Sequence, residues 1–576
     1  MANKTSCKVK IDFSDPTAIA DAEVTAQNAY ITPSLFKGQA IPPLYMMSDQ
    51  NLNVLDGSRR FAGDMYRPAN VALTSNSVRA TTAAPPAQAT VTFDDPHTSN
   101  GIQLFFGGDV YPDTVTVTWY DMEGAQLNSV TAEVSGDSIY IPNIVENYGK
   151  IVIKPAAMRL PFRSFRLQYI IYGEALELEG ERIISATVTE SLNTISEVLE
   201  INTCSLEILD EEGDFDPQNA NGQWRALQRN QTVEVRESVD DMEIPCGTFY
   251  TNTWSWQDHI LKLEAQDAVG FIDGINYYNG RVYEGQTAGS IIADIMQTAG
   301  VTQYVVDSVI ASVPIYGHMP ICTCRQALQA VCFAARACCD DSRSGTITIT
   351  PRNRSVTKYI GAGQKIWGSV VGSRAVYTSG VTVACKRYTA DTVNKQVFKG
   401  NLPAGVSRVQ FSTPIVPGYT PTVSGGTLVS FATNYVFIRM ASAGECIITA
   451  RQYIAEDFAI SITDDPLPAG EVENIKTFNA MLYSTDVGTL AEWLRSYYTW
   501  RHETSMKIIA STERVGEWCG IVAQDLTATA VIIETMTLDL TGGFLADITA
   551  RGYLNTVGLP YFTGNKELIT AEDIII

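Results

Sequence analysis

The sequence predicts a mainly β protein carrying a small α+β insert, and three observations carry that prediction. Short segments of apolar–polar alternation recur from about residue 101 into the 540s, and a period of two sets one face of a strand against a core. Between residues 287 and 350 the period changes to that of two short amphipathic helices, closed by one more strand. At 576 residues the chain is too long for one hydrophobic core. A division into roughly three to five domains is expected.

Composition narrows the class. Hydrophobic residues make up 45% and charged residues 18%, the balance of an ordinary globular protein. No apolar run approaches the roughly 18 residues that a membrane-spanning helix needs. Residues 1–11 lack the apolar core of a signal peptide, so folding in the cytosol is expected. Eleven cysteines, odd in number and scattered, fit free buried thiols. Forty-one basic against 63 acidic residues leave a net charge of −22, which speaks against tight nucleic-acid binding and against adhesion to anionic membranes.

Taken in order, residues 1–100 are polar and rich in Ala, Thr and Pro, an N-terminal extended or β region with a linker or extended strand at 81–89. In 101–180, strands at 102–106, 114–120, 138–142, 150–154 and 165–172 are punctuated by turns such as Gly107-Gly108. That spacing indicates a β-sandwich. Residues 181–275 are β again, with alternation at 185–190, 205–209, 232–236 and 260–265.

The insert occupies 276–372. Thr287 is placed to cap a first helix whose Ile291, Ile292, Ile295, Met296 and Ala299 share a face, and Gly300 sits where a left-handed cap is wanted. Thr323 and Gln326 have capping-box spacing at the start of a second helix running to Cys339, with Ala327, Leu328, Val331, Cys332 and Ala335 as its apolar stripe. A strand at 345–350 follows.

The β pattern resumes at 376–385, yields to a Gly/Pro/Thr-rich insertion between 400 and 444, and returns at 445–453. One long helix is expected from 484 to about 503. A closing strand pair, 531–540 and 544–549, turns at Thr541-Gly-Gly543. The apolar end, within 556–576, reads as a tail that docks on a neighbour.

Residues able to carry chemistry each have a plainer role. Cys322, Cys324, Cys332, Cys338 and Cys339, with His318 upstream, suggest a metal, but their spacing is not that of paired Cys-x-x-Cys knuckles. Adjacent cysteines on a helix would lie about 100° apart. Small buried hydrophobes are the better reading. The acidic loop 210–216 lacks the downstream bidentate Glu of a calcium loop and reads as a solvated turn. The four histidines, His97, His259, His318 and His502, stand in no nucleophile or metalloprotease motif. Phe105, Phe106, Tyr111, Trp119, Tyr120, Tyr140 and Tyr148 in the sandwich read first as packing and second as sugar-stacking rings, and Trp493, Tyr497 and Tyr498 in the long helix read as a packing stripe before a ligand box. No catalytic residue, cofactor or metal is assigned, and the chain is not expected to be an enzyme.

The order of these segments, with Ala288-Gly-Ser-Ile-Ile-Ala-Asp-Ile295, Pro320-Ile-Cys-Thr-Cys-Arg-Gln-Ala-Leu328 and Leu490-Ala-Glu-Trp-Leu-Arg-Ser-Tyr-Tyr498, resembles the baseplate-hub or tail-tip hub proteins of bacteriophage tails and related injection machines. The resemblance covers roughly 183–553. It implies two tube-type β-barrels, at 181–275 and at 373–399 with 456–555, decorated by the α+β insert and a small β insertion at 400–455. It further implies a homotrimeric, pseudo-sixfold ring that caps the tail tube at the virion tail tip, assembles in the bacterial host cytoplasm and lets DNA pass. The implied partners are the tail tube or a distal tail protein, the tape-measure protein and other baseplate proteins. Many relatives, the prophage-endopeptidase-tail type among them, continue into a lytic or receptor-binding domain, and a lytic domain is not expected here. The sandwich looks like a galactose-binding-like domain that would hold a neighbouring protein or a host surface glycan. A carbohydrate-binding adhesin and a tail-associated cell-wall hydrolase are the alternative readings.

Overall fold

Alternation along Thr5–Asp12 and Thr203–Leu209, and at Ala546 and Ile548 of Leu545–Val557, sends side chains into one core, and these strands belong to one large sheet. The computed structural model describes residues 5–13, 16–31, 73–106, 111–173, 175–219, 224, 227–240, 242–352, 356–522 and 528–557. Within them the protein is mainly β, with a small α+β insert.

From edge to edge the large sheet runs Ala175–Glu179, Thr5–Asp12, Thr232–Val239, Met242–Gln257, Ile260–Gln266, Thr203–Leu209, Ile183–Ser191, Ala528–Asp539, Leu545–Val557, His502–Ile509 and Val371–Arg374. Trp518–Val522 pairs with Ala528–Asp539 and carries Val356–Ile360 beyond it. The antiparallel pairing of Thr187–Ser191 with Thr535–Asp539 is the joint: it fuses the strands expected of two separate barrels into one surface. A single apolar cluster, from Val9 and Leu206 to Ile508 and Met536, runs under both halves.

Three boundaries differ from expectation. Thr5–Asp12 and Ala175–Glu179, expected in an N-terminal region and in the sandwich, complete the first half of the large sheet through antiparallel registers such as Val9 opposite Val235. The sandwich begins well before residue 101, because the strand Gln88–Phe105 crosses that point and Glu23–Gln27 pairs with it. Its second layer, Ala29–Ile31, Leu73–Ser75 and Arg166–Leu167, packs over a core that holds Phe106, Trp119 and Tyr148.

The third difference concerns the expected second barrel. Gly380–Leu402 and Gly444–Thr463 do not enter the large sheet. They form a long hairpin, flanked by Thr422–Ser424 and Ile475–Asn479, whose middle is open to water on both faces around 386–396. Such a two-sided polar ribbon has no face to bury, so it projects instead of joining the core. At its end Gly405–Gln410, Tyr435–Met440 and Thr427–Ala432 make a small separate sheet.

In the insert, Thr287 caps Ala288–Ala299 by accepting from Ser290 N, and Gly300 closes it at φ 69°. Thr323 and Gln326 complete a reciprocal capping box on Cys324–Ala335. That helix stops earlier than expected, because Arg336 adopts a left-handed φ of 59° and the chain turns into the strand Ala337–Asp340. Cys338 and Cys339 therefore sit on a strand, on opposite faces, and not on a helix. The long helix is likewise shorter, Val487–Tyr498 capped by Asp486, since a strand starts at His502. The expected docking tail lies outside the described residues from 558 onward.

Candidate functional site

The site with the most to say about function is the outer face of the fused sheet, together with the buried polar seams that hold the insert to it. Alternation that sends Ala186, Val188, Met536 and Leu538 inward sends Thr187, Thr189, Ser191, Thr535 and Thr537 outward on neighbouring strands. Their hydroxyls bond across the strands, Thr189 to Thr537 at 3.4 Å and Thr535 to Thr549 at 2.5 Å. Cross-strand Thr pairs of this kind stiffen a sheet while leaving its face uncharged. Further along the same face, charges occur as neighbours of opposite sign: Lys262 with Glu207 at 2.7 Å and Lys507 with Asp547 at 3.5 Å.

Two buried seams lock the insert in place. The Arg343 guanidinium pairs with Glu190, donates to Glu513 O at 3.0 Å and touches Met536, so it bridges both halves of the large sheet. Glu513 is fixed in turn by the Gln364 amide at 2.9 Å. Burial raises the Glu190 carboxyl above its usual range, and the facing guanidinium works against that.

The second seam gathers two carboxylates around one amide. Asn202 N donates to Asp267 at 2.6 Å and Asn202 Nδ2 to Asp341 at 3.0 Å, while Asp267 also caps the helix Ala268–Asp273 by accepting from Gly270 N at 2.7 Å. Burial and the neighbouring carboxylate push Asp267 well up, and Asp341 is raised to about 6, chiefly by burial. Two like charges in one dry site cannot both ionise cheaply, so the pair holds a proton at acidic to near-neutral pH.

The residues singled out in the sequence fall elsewhere, into packing. Cys324, Cys332 and Cys339 belong to the core of the insert, and Cys322 packs against it. Burial pushes the thiols of Cys322 and Cys338 up to about 12 and that of Cys324 to about 11, which suits inert thiols and not thiolate ligands. In the acidic loop, Asp210 is buried and organises the turn, accepting from Asp214 N, Phe215 N and Trp256 Nε1 at 2.8–2.9 Å. No cluster of His, Cys, Asp and Glu able to hold a metal occurs among the described residues. His97 meets Asp21 at 2.9 Å, and a His259 ring nitrogen lies 3.2 Å from Asp210 O. Of the sandwich aromatics, Phe106, Trp119 and Tyr148 are wholly buried, and Phe105 stacks on Tyr169. Tyr497 hydrogen-bonds Glu534 at 2.8 Å, and Trp493 lies over the Arg352 guanidinium.

A cleft of about 600 Å³ separates the projecting hairpin from the insert, lined by His318, Ala384, Lys386, Asp457, Phe458 and Met481, among others. Several of its polar groups are already committed. His318 Nε2 bonds Asn434 Oδ1 at 2.7 Å, the Asn434 amide donates to Gly280 O and Met319 O, and Lys386 pairs with Asp457. Burial lowers the His318 pKa, so the ring stays neutral as a strut between the insert and the small β insertion. The seams escape sequence reading because each joins residues more than 60 positions apart. The local hint was Asp267 ahead of a short apolar helix.

No protein-family model matches this sequence, and no curated protein does. Solved structures similar to the chain include the 43 kDa tail protein of prophage MuSo2 from Shewanella oneidensis, at 11% identity and a TM-score of 0.39, covering 65% of this chain and 95% of that one. The tail protein from Neisseria meningitidis MC58 is similar at 9% identity and a TM-score of 0.39, covering 65% and 93%. The prophage tail protein gp18 from Listeria monocytogenes EGD-e is similar at 9% identity and a TM-score of 0.37, covering 65% and 91%. Overlap of this extent fixes neither fold nor role. No helix among the described residues is long and apolar enough to cross a membrane.

Proposed function

We propose that this protein is a non-catalytic structural subunit of a phage or phage-like tail, three copies of which form the hub ring that caps the tail tube at its tip. The observation that carries the reading is the joint between Ile183–Ser191 and Ala528–Asp539. It makes one molecule supply two successive segments of a single curved sheet, as a ring built from two tube-type units per subunit requires. The outer face of that sheet, rich in hydroxyls and with Lys262 and Lys507 held by carboxylates, suits a surface past which DNA moves without sticking. The net charge of −22 adds a general repulsion of phosphates.

On this reading the insert and the hairpin-borne sheet decorate the ring. The N-terminal sandwich stands beside it to hold a neighbouring tail protein or a host glycan. The tail tube or a distal tail protein and the tape-measure protein are the expected contacts. Electron cryo-microscopy of purified tails tests the reading: three copies at the distal end of the tube are expected. A chain that is absent from tails, and that binds glycans as a monomer, overturns it.

A further inference from the structure

Asn202 clamps three parts of the chain together. Its Oδ1 accepts from Ser191 N at 2.8 Å, at the end of the strand that joins the two halves of the large sheet. Its Nδ2 donates to Asp341 Oδ1 at 3.0 Å, just past the insert strand Ala337–Asp340. Its backbone N donates to Asp267 Oδ2 at 2.6 Å, and Asp267 N returns a bond to Asn202 O at 3.0 Å. The other carboxylate oxygens are taken as well, Asp267 Oδ1 by Gly270 N at 2.7 Å and Asp341 Oδ2 by Val269 N at 3.3 Å. One buried knot thus ties the first turn of Ala268–Asp273 and the end of Ala337–Asp340 to the joint.

The knot holds two acids and no cation. The charges that act on the pair are each other's and that of Asp340. Tyr250, from Met242–Gln257, and Cys339, from the adjoining strand, face it too. Burial raises the phenol, and contact with Cys332 together with burial raises the thiol, so both stay neutral. The surrounding guanidinium groups are engaged elsewhere: Arg343 on Glu190, Arg325 on Asp273 and Arg514 on Glu517. Protons are what remains to neutralise the site. The protonated Asp267 carboxyl donates to Asp341. Asp341 titrates at about 6, and Asp267, pushed well up by burial and by the Asp341 charge, holds the second proton to higher pH. Both carboxyls are raised, so their contribution is complete below the unfolded values and is lost as pH rises through the folded ones.

We propose that Asp267 and Asp341 form a one-proton latch: while they share a proton the insert stays clamped to Asn202, and loss of that proton opens the clamp locally with the large sheet intact. Two adjacent buried anions repel, and opening gives both of them water. Beyond the knot the insert keeps Arg343 on Glu190 and Ser196 Oγ on Ala337 O at 2.6 Å, which confines the opening. The latch does not depend on the ring reading.

The test is hydrogen exchange of the full chain, read by mass spectrometry from about pH 5 to about pH 9 and corrected for intrinsic exchange. Glu237→Gln serves as the parent, which removes a core carboxyl that titrates near pH 7. Across that range, protection of 267–273 and 338–343 should fall at least tenfold and end close to free exchange, while 531–539 and 545–550 remain protected. In Asp341→Asn the side-chain oxygen still accepts from Asn202 Nδ2 and the new amide donates to Asp267, so the pH profile at the knot should flatten. Should that variant not fold, infrared difference spectra of the parent decide: a buried carboxylic-acid band is expected to vanish in step with the loss of protection. Knot protection that ignores pH, or that is lost only together with the two core strands, overturns the latch. So does an Asp341→Asn profile equal to the parent's, or an acid band that stays while the knot opens.

Discussion

Glu237 is fully buried on the core side of Thr232–Val239, and neither carboxylate oxygen has a hydrogen-bond partner of good geometry. Burial raises its pKa to about 7. A raised carboxyl pKa means that the folded chain prefers the protonated form. Its contribution is therefore fully present below the unfolded value of roughly 4 and is lost as pH rises through about 7. Glu237→Gln keeps the shape and cannot ionise. The variant should melt within a degree or two of wild type at pH 4.5 but several degrees higher at pH 8, read by circular dichroism. The Asp267–Asp341 pair has the same sign, with both carboxyls raised, so wild-type stability should also fall as pH climbs past about 6. By contrast, Arg343→Met leaves Glu190 buried without its cation, a loss of about 3–5 kcal/mol. It should appear as a marked drop in the denaturant midpoint, and Arg343→Met with Glu190→Met should recover part of it.

At the scale of elements, the capping box on Cys324–Ala335 satisfies two helix-end donors at once. Thr323→Ala removes one of those bonds and the hydroxyl contact to Asp273 at 2.8 Å. A loss of about 1 kcal/mol is expected, measured as a shift in the urea midpoint at constant slope. Such caps were legible in the sequence because their chemistry spans four residues. Thr287, Gly300, Thr323 and Gln326 could be placed from spacing alone. The stop at Arg336 was not legible, since an arginine in the left-handed region carries none of the signal a glycine would. The pairing of Thr5–Asp12 with Thr232–Val239 was invisible for another reason: period two says which face is buried and not which strand lies alongside. The projecting hairpin looked like a barrel component because its first residues, Val381 and Val383, do alternate into a core before the pattern dissolves at Lys386.

At the scale of the whole molecule, the outer face of the fused sheet and the net charge make a joint claim about DNA. If this face lines a channel, its low affinity for phosphate comes from a limited set of carboxylates near the central strands, Glu207, Glu264, Asp539 and Asp547, set among uncharged hydroxyls. The neighbouring lysines, Lys262 and Lys507, are held by two of those carboxylates and are not free to grip a backbone. Glu207→Lys combined with Asp547→Lys converts both pairs into like charges on a half-exposed surface. The fold should lose little, because exposed pairs contribute about 0–1 kcal/mol each. Association with double-stranded DNA should behave differently. Wild type is expected to show no retention in a filter or mobility assay at low salt. The double variant should bind, and its binding should fall steeply as salt rises, as counterion release demands. Equal retention of both proteins would mean that this face never meets DNA, and would turn the search for the channel wall to the opposite side of the ring.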